Sequence, residues 1–329
     1  MKLLFIADPL ADFKIYKDST YAMMQEAVVR GWTVAACELH DMHWQAGSGV
    51  TAQCKTIEIT PDSIAAQAGF SAKTPWLSIK NEARVALKDF DAVLMRKDPP
   101  FDAEYLYATH LLGQAEREGA RVLNSPQALR DHSEKLALME FAQFAAPTLV
   151  ARDMQALRDF HAQHGDVIFK PLDGMGGAGI FRVGNDGLNL GSVIEQLTHN
   201  GAQSIMAQRY LPAIAEGDKR VLLIGGQVVP YALARIPQGG EVRGNLAAGG
   251  KGVAMELTAR EREVAEFLAP ILYARGLHLV GLDMIGGTLT EINVTSPTCF
   301  VEITQQTGLN VAALMMDAVA QAATQAVAS

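Results

Sequence analysis

The stretch Val280-Gly281-Leu282-Asp283-Met284-Ile285-Gly286-Gly287-Thr288-Leu289-Thr290-Glu291-Ile292-Asn293-Val294-Thr295 sets two apolar, strand-like runs around a Gly-Gly turn and embeds three oxygen-bearing side chains in them. Burying such groups is unfavourable unless a cation compensates them. Hard oxygens at this density suit Mg²⁺, which takes one or two carboxylates together with the phosphate oxygens of a nucleotide. Strand phase decides whether the three converge. Opposed residues of an antiparallel pair share a face, and neighbours alternate. A two-residue turn at Gly286-Gly287 opposes Asp283 to Thr290 and leaves Glu291 on the wrong face. Convergence therefore demands a three- or five-residue loop, or a bulge, that opposes Asp283 to Glu291 and carries Asn293 along. The alternative is an edge hairpin with solvated polar residues.

At 329 residues the chain exceeds a usual single core, so two or three domains are expected, and 49% hydrophobic residues can fill them. Lys and Arg number 28 against 36 Asp and Glu, a formal charge of −8 with no basic run. Nucleic acid and membrane surfaces are therefore not expected partners. Cys37, Cys54 and Cys299 show no metal or redox spacing and read as reduced thiols, Cys299 as a small buried hydrophobe. The opening apolar run is stopped by Asp8-Pro9, too early for a secretory signal, and no run reaches membrane-span length. A cytoplasmic protein is expected.

Residues 1–124 alternate strand and helix signals: strands at 3–7, 33–37, 91–95 and 121–123, a helix capped at Asp18 and stopped at Gly31, and a helix from Ala103 to Glu118 closed by Gly119. The alternation predicts an α/β domain with a parallel sheet. Residues 45–80 are weakly patterned and read as long loops. G-x-G-x-x-G after the first strand and GxxxxGK[ST] are both absent, which disfavours dinucleotide and P-loop chemistry. Beyond Ser125-Pro126 the reading is a short helix, a second over 133–141 and a strand. A helix over 154–164 follows, then strands at 167–170, 179–183 and 204–208 with a helix before the last. Two strands joined at Gly225-Gly226, a helix over 258–275 and, after the hairpin, a helix from about Asn310 complete it.

Phe169 to Gly179 is strand, lysine, glycine loop and strand; the glycines let backbone amides approach a phosphate and Lys170 adds charge. Taken alone the loop is equally a plain turn, and Lys135 reads as a surface cation on an amphipathic helix. Arg220 lies in line with apolar strand neighbours and can face a cleft; Arg235 ends the next strand and Arg243 lies in the glycine-rich stretch after it. Beside a Mg²⁺ site such arginines suit a transferring phosphoryl group. Pro237 to Gly252 holds six glycines and reads as a lid that excludes water, with a linker as the alternative.

The order of lysine helix, lysine plus glycine loop, charged strand pair, glycine-rich stretch and Asp…Glu-x-Asn resembles the ATP-grasp ligases, and more closely the bacterial glutathione synthetases. The matching stretches are Met95-Arg96-Lys97-Asp98-Pro99-Pro100-Phe101-Asp102, Lys170 to Gly177, Tyr210 to Ile214, Gly217 to Val221, Ala234 to Gly250 and Thr290 to Thr298. The resemblance implies an α/β chain with an N-terminal parallel-sheet domain (1–124) followed by an ATP-grasp fold of two α+β subdomains (125–212 and 213–329). It implies ATP-dependent ligation of γ-glutamylcysteine to glycine through an acyl phosphate, by a homo-oligomer, a tetramer. Lys135 and Lys170 would bind ATP, and Gly174, Met175, Gly176 and Gly177 would cover its phosphates. Gln208, Arg209, Tyr210 and Leu211 would hold adenine, with Asp218 near the nucleotide. Asp283, Glu291 and Asn293 would bind two Mg²⁺ ions, with Mn²⁺ able to substitute, and Arg220 and Arg235 would stabilise the transition state. Arg243, Ser296 and the Asp18–Thr20 helix start would contact the dipeptide. The alternatives are another carboxylate–amine ligase of this group, acting on D-alanine or a peptide, and a non-catalytic ATP-binding protein on the same fold.

Overall fold

In the computed structural model, which describes residues 1–60, 76–174, 176–239 and 250–324, the N-terminal alternation becomes a sheet with a parallel centre. Strand β1 (Lys2–Ile6) pairs in parallel with β2 (Thr33–Cys37). Helix α1 (Ser19–Val29) joins them; Asp18 caps it by accepting the Tyr21 amide, and Gly31 stops it at φ +75°. Strands β3 (Met42–Gln45), β4 (Gly49–Ile59) and β5 (Leu77–Ala86) then add an antiparallel extension through β2. This overturns the loop reading of the described parts of 45–80; residues 61–75 lie outside the described residues. The cause is compositional. The inward positions of β4 include small Ala52 and Cys54, a register shift after Thr56 breaks the alternation, and β5 is largely exposed. Strands β6 (Ala92–Met95) and β7 (Val122–Leu123) complete the sheet in parallel with β1, joined by α2 (Ala103–Arg117).

Helix α3 (Pro126–Asp131) leads into irregular 3₁₀ turns over Leu136–Phe144, where a regular helix over 133–141 was expected. The Glu134 carbonyl is turned to the Ile292 amide (2.9 Å), and the Leu138 amide bonds the Lys135 carbonyl instead (3.4 Å), in the 3₁₀ pattern. A small antiparallel sheet follows, ordered β10–β9–β11–β8, from β8 (Thr148–Ala151), β9 (Val167–Pro171), β10 (Phe181–Val183) and β11 (Ile205–Arg209). Helices α4 (Met154–His164) and α5 (Leu190–Thr198) cover it, closing a core of Leu157, Val167, Phe169, Ile194 and Ile205.

The third sheet is antiparallel throughout, ordered β14–β13–β12–β15–β16, from β12 (Asp218–Ile224), β13 (Gln227–Ile236), β14 (Lys251–Glu256), β15 (Leu279–Ile285) and β16 (Thr288–Asn293). On one face α6 (Ala259–Ala274) packs Val264, Leu268 and Leu272 against Val221, Val280 and Leu282. On the other, α7 (Phe300–Thr307) and α8 (Val311–Thr324) bring Phe300, Ile303 and Met315 against Leu222, Ile224 and Leu279. Burial on both sides explains why β12 and β15 read as apolar runs rather than as alternation. Helix α7 was not foreseen. Its cap, Cys299, contributes no side-chain bond, and the Phe300 amide is met by the Ser19 hydroxyl, a partner remote in sequence.

Asn124 staples the first sheet to the third. Its amide group donates to the carbonyls of Leu279 (2.8 Å) and Val294 (2.9 Å), and its oxygen accepts the Leu279 amide (2.8 Å), all buried. Asn124→Ala would strand these backbone groups, each worth about 1–3 kcal/mol when left unpaired. A lowered urea midpoint is expected, by about 2–4 kcal/mol in stability, and an unchanged midpoint would show that water replaces the side chain.

Candidate active site

The hairpin satisfies both demands of its sequence. Its turn is tight, with Ile285 opposite Thr288 and Met284 opposite Leu289, and both glycines take positive φ. Thr290 is then the extra residue of a bulge, so Asp283 faces Glu291 and Gly281 faces Asn293. The Thr290 hydroxyl donates to the Asp283 carbonyl at 3.0 Å, which helps hold the bulge. The odd-length loop is therefore unnecessary; the bulge alone restores the phase.

Asp283 is buried and charged because two arginines surround it. Arg220 stands directly opposite on β12 and grips both carboxylate oxygens, through Nε and, at 2.8 Å, Nη2. Gly281 permits this: a Cβ there would lie 2.7 Å from Arg220 Cδ. Arg235, at the end of β13, bridges Asp283 (2.9 Å) and Asp218 (2.6 Å). Burial alone would raise the Asp283 carboxyl, but Arg220 and Arg235 outweigh it and hold it well below the usual carboxylate range. Asp218 is pushed up to about 6, first by burial and then by Asp283, against the pull of Arg235; its Oδ1 is buried without a partner.

Two lysines approach from the other elements. Lys135 donates to the Gly174 carbonyl (2.7 Å) and to Glu291 (2.9 Å), and it is only 6% exposed, so the surface-cation reading is wrong. Lys170 on β9 is buried, with long contacts to Gln208 (3.4 Å) and the Thr290 carbonyl (3.5 Å), and burial lowers its pKa against the pull of Glu291. Glu134 was not anticipated. One of its oxygens accepts the Val294 and Thr295 amides and the Thr295 hydroxyl, fixing the chain after the hairpin. Nothing local distinguishes this glutamate in the sequence.

These groups line one cleft of about 530 Å³ bounded by the second and third sheets, the residues after β6 and the start of α1. Every described site residue of the sequence reading reaches it. Lys135, Lys170 and Gly174, Gly176 and Gly177 lie on its walls, as do Gln208 to Leu211, Asp218, Arg220 and Arg235, the hairpin face and Ser296. Met175, Arg243 and the glycine-rich stretch at 240–249 read as a lid lie outside the described residues. Arg96, Asp98 and Glu302 also line the cleft; the charged run directly after apolar β6 was the available signal for the first two.

The donor set fits Mg²⁺. Glu291 keeps 21% of its side chain exposed beside Lys135, and Asn293 donates its amide group to Gly281, leaving its oxygen for a ligand. Among the described residues no three Asp, Glu, His or Cys side chains converge into a metal cluster. Such an ion would therefore depend on Asn293 and on phosphate oxygens, as Mg²⁺ commonly does.

The profile of the prokaryotic glutathione synthetase N-terminal domain matches residues 1–130, and that of the family's ATP-grasp domain matches residues 134–308. The chain belongs to the prokaryotic glutathione synthetase family. Its relatives include the glutathione synthetase of Ralstonia nicotianae, 59% identical over 99% of this chain and 97% of that one. Another is that of Neisseria meningitidis serogroup A, 55% identical over 98% and 99%. Among solved structures, D-cycloserine synthetase DcsG (TM-score 0.65, 16% identity, 98% and 99% covered) and the ATP-grasp ligase PsnB (0.60, 19%, 98% and 98%) share the fold. The family's two-part organisation is thus the α/β, ATP-grasp arrangement the sequence implied. No helix among the described residues is long and apolar enough to cross a membrane.

The two buried aspartates titrate with opposite signs. Asp218, at about 6 when folded against about 3.9 unfolded, contributes stability at low pH that is lost as pH rises through about 6. Asp283 contributes stability at neutral pH that is lost only as pH falls below its unfolded value. Asp218→Asn is expected to remove a decline on the order of 1 kcal/mol between pH 5 and 7, measured by urea unfolding against the parent. An identical pH slope in both proteins would exclude Asp218 as its source.

Proposed function

We propose that the protein joins γ-glutamylcysteine to glycine at the expense of ATP, through an acyl phosphate, releasing glutathione, ADP and phosphate. One observation carries the reading: two buried lysines, two buried arginines and the Asp283–Glu291–Asn293 face share a single cleft, in a chain that matches glutathione synthetases over nearly its whole length.

In this reading Lys135 and Lys170 meet the nucleotide, with the Gly174–Gly177 loop over its phosphates and residues 208–211 beside adenine. Mg²⁺, two ions by the resemblance and replaceable by Mn²⁺, would be held by Asp283, Glu291 and Asn293 and would neutralise phosphoryl oxygens. The dipeptide's cysteinyl carboxylate attacks the γ-phosphorus and ADP departs; the glycine amine then attacks the acyl carbon and phosphate departs. Arg220, locked by Asp283, meets charge on the transferring phosphoryl group and on the tetrahedral oxygen, with Arg235 beside it. No protein nucleophile is required. Ser296 would touch the dipeptide, as would Arg243 by the resemblance. We further propose that the units are 1–124, 125–212 and 213–329, and that the enzyme is a cytoplasmic homotetramer; the family resemblance supports this.

Phosphate release should require γ-glutamylcysteine and glycine together. Equal release with alanine in place of glycine, or without the dipeptide, would point to another ligase of this fold. Arg220→Lys keeps a charge for Asp283 but loses the two-point grip. Its kcat should fall about 10²–10³-fold with ATP affinity nearly unchanged; near-parental kcat would remove Arg220 from the mechanism. Glu291→Gln should shift the Mg²⁺ titration to higher concentration, and an unaltered titration would exclude Glu291 as a ligand.

A further inference from the structure

Two cysteines that are unremarkable by sequence spacing are brought face to face by the first sheet. Strands β2 and β4 pair antiparallel, with Val34 opposite Ile57, Ala35 opposite Thr56 and Ala36 opposite Lys55. The next pair in this register is Cys37, the last residue of β2, with Cys54. Both are free thiols, 5% and 2% exposed, and both point into the core that also holds Ala35, Ala52 and Leu87. Opposed residues of an antiparallel pair have Cα atoms about 4.5 or 5.5 Å apart, depending on which of the two kinds of pair they form. A disulfide spans Cα separations of about 4.4–6.8 Å, so either kind can be bridged without breaking the ladder. The two thiols also differ in character. The neighbouring Cys37 lowers the Cys54 thiol against its burial, whereas Cys54 and burial together raise the Cys37 thiol. Cys299, the third cysteine, is buried in the other large core, with Phe300 and Ile303.

We infer that Cys37 and Cys54 form an oxidisable pair, closed by a peroxide to a cross-strand disulfide and reopened by thiols. The Cys54 thiolate attacks one oxygen of hydrogen peroxide; the O–O bond breaks, hydroxide leaves and Cys54 becomes a sulfenic acid. The Cys37 sulfur then attacks the Cys54 sulfur, the S–O bond breaks, and the hydroxyl leaves with the Cys37 proton as water. In sum two thiols and one peroxide give one disulfide and two waters. A partner thiol already in place intercepts the sulfenic acid before further oxidation makes the change irreversible. Access is from the sheet edge. Cys54 is covered on its other side by Ala83 of β5, which is an exposed edge strand, and a register shift between Thr56 and Ile57 weakens the same ladder. Local opening of such an edge admits a molecule little larger than water. Geometry also makes the bond reversible. Opposed Cβ atoms lie about 4.5–5.5 Å apart in a relaxed pair, against about 3.5–4.5 Å in a disulfide. Closure therefore draws β2 and β4 together, and a strained disulfide is readily reduced. None of this chemistry depends on what the cleft binds.

The test treats the full-length, fully reduced protein with hydrogen peroxide under native conditions, then unfolds it and alkylates whatever thiols remain. The three alkylatable cysteines should fall to one, Cys299, and return to three after dithiothreitol. Cys37 and Cys54 lie on one tryptic peptide, residues 31–55, which should lose two hydrogens and resist alkylation until it is reduced. With Cys37→Ser the sulfenic acid has no partner, so Cys54 should accumulate in a form that dimedone traps. Three outcomes would overturn the inference: peptide 31–55 fully alkylated after peroxide, Cys54 converted to sulfinic acid beside a free Cys37, or closure seen only when peroxide is added in urea. The parent protein decides the matter by itself if the variant does not fold.

Discussion

A carboxylate in the middle of a β-sheet keeps its charge only if cations are built in beside it, and the alternation Arg220–Asp283–Arg235–Asp218 meets that condition here. The four residues lie on three adjacent strands, so their pairing also fixes the register of β13, β12 and β15. Breaking a buried pair on one side leaves an uncompensated charge, whereas an apolar replacement of the whole group need not destabilise. Fold stability alone therefore gives no reason for this arrangement. What it provides is two guanidinium groups held rigidly, with little reorganisation left to do when charge develops nearby.

The cleft inherits its shape from the way separate sheets are tied together. Asn124 binds the first sheet to β15 and the chain after β16; Glu134 and Lys135 bind the segment before the second sheet to β16 and the glycine loop. None of these ties is apolar. They are short polar links at the edges of larger hydrophobic contacts, so they set relative position while burial supplies the cohesion. A ligand that touches all three walls adds its own bonds to this set and should stabilise the fold by simple linkage.

Much of this was legible because local and tertiary demands agreed. The Asp18 cap and the Gly225-Gly226 turn lie where their chemistry predicts. Legibility failed where a distant partner supplied the missing bond. Ser19 caps α7, and the Glu134 carbonyl turns to Ile292, and neither can be read from neighbouring residues. It failed again where burial was achieved with small side chains, as in β4. Lys135 combined both difficulties: its burial depends on a carboxylate 156 positions later, so local pattern makes it a surface residue.

The bulge at Thr290 separates two decisions that a plain hairpin would couple. The turn can adopt the two-residue form that folds most readily, while the residues beyond it are rotated back to the face the site requires. The segment is thereby constrained in length more strictly than in composition. Side chains along it can drift, but the loss or gain of one residue between Met284 and Glu291 would turn Glu291 and Asn293 to the face where Met284 and Ile292 are packed. The hairpin thus acts as a ruler: substitutions adjust the site, while a single-residue change in length dismantles it.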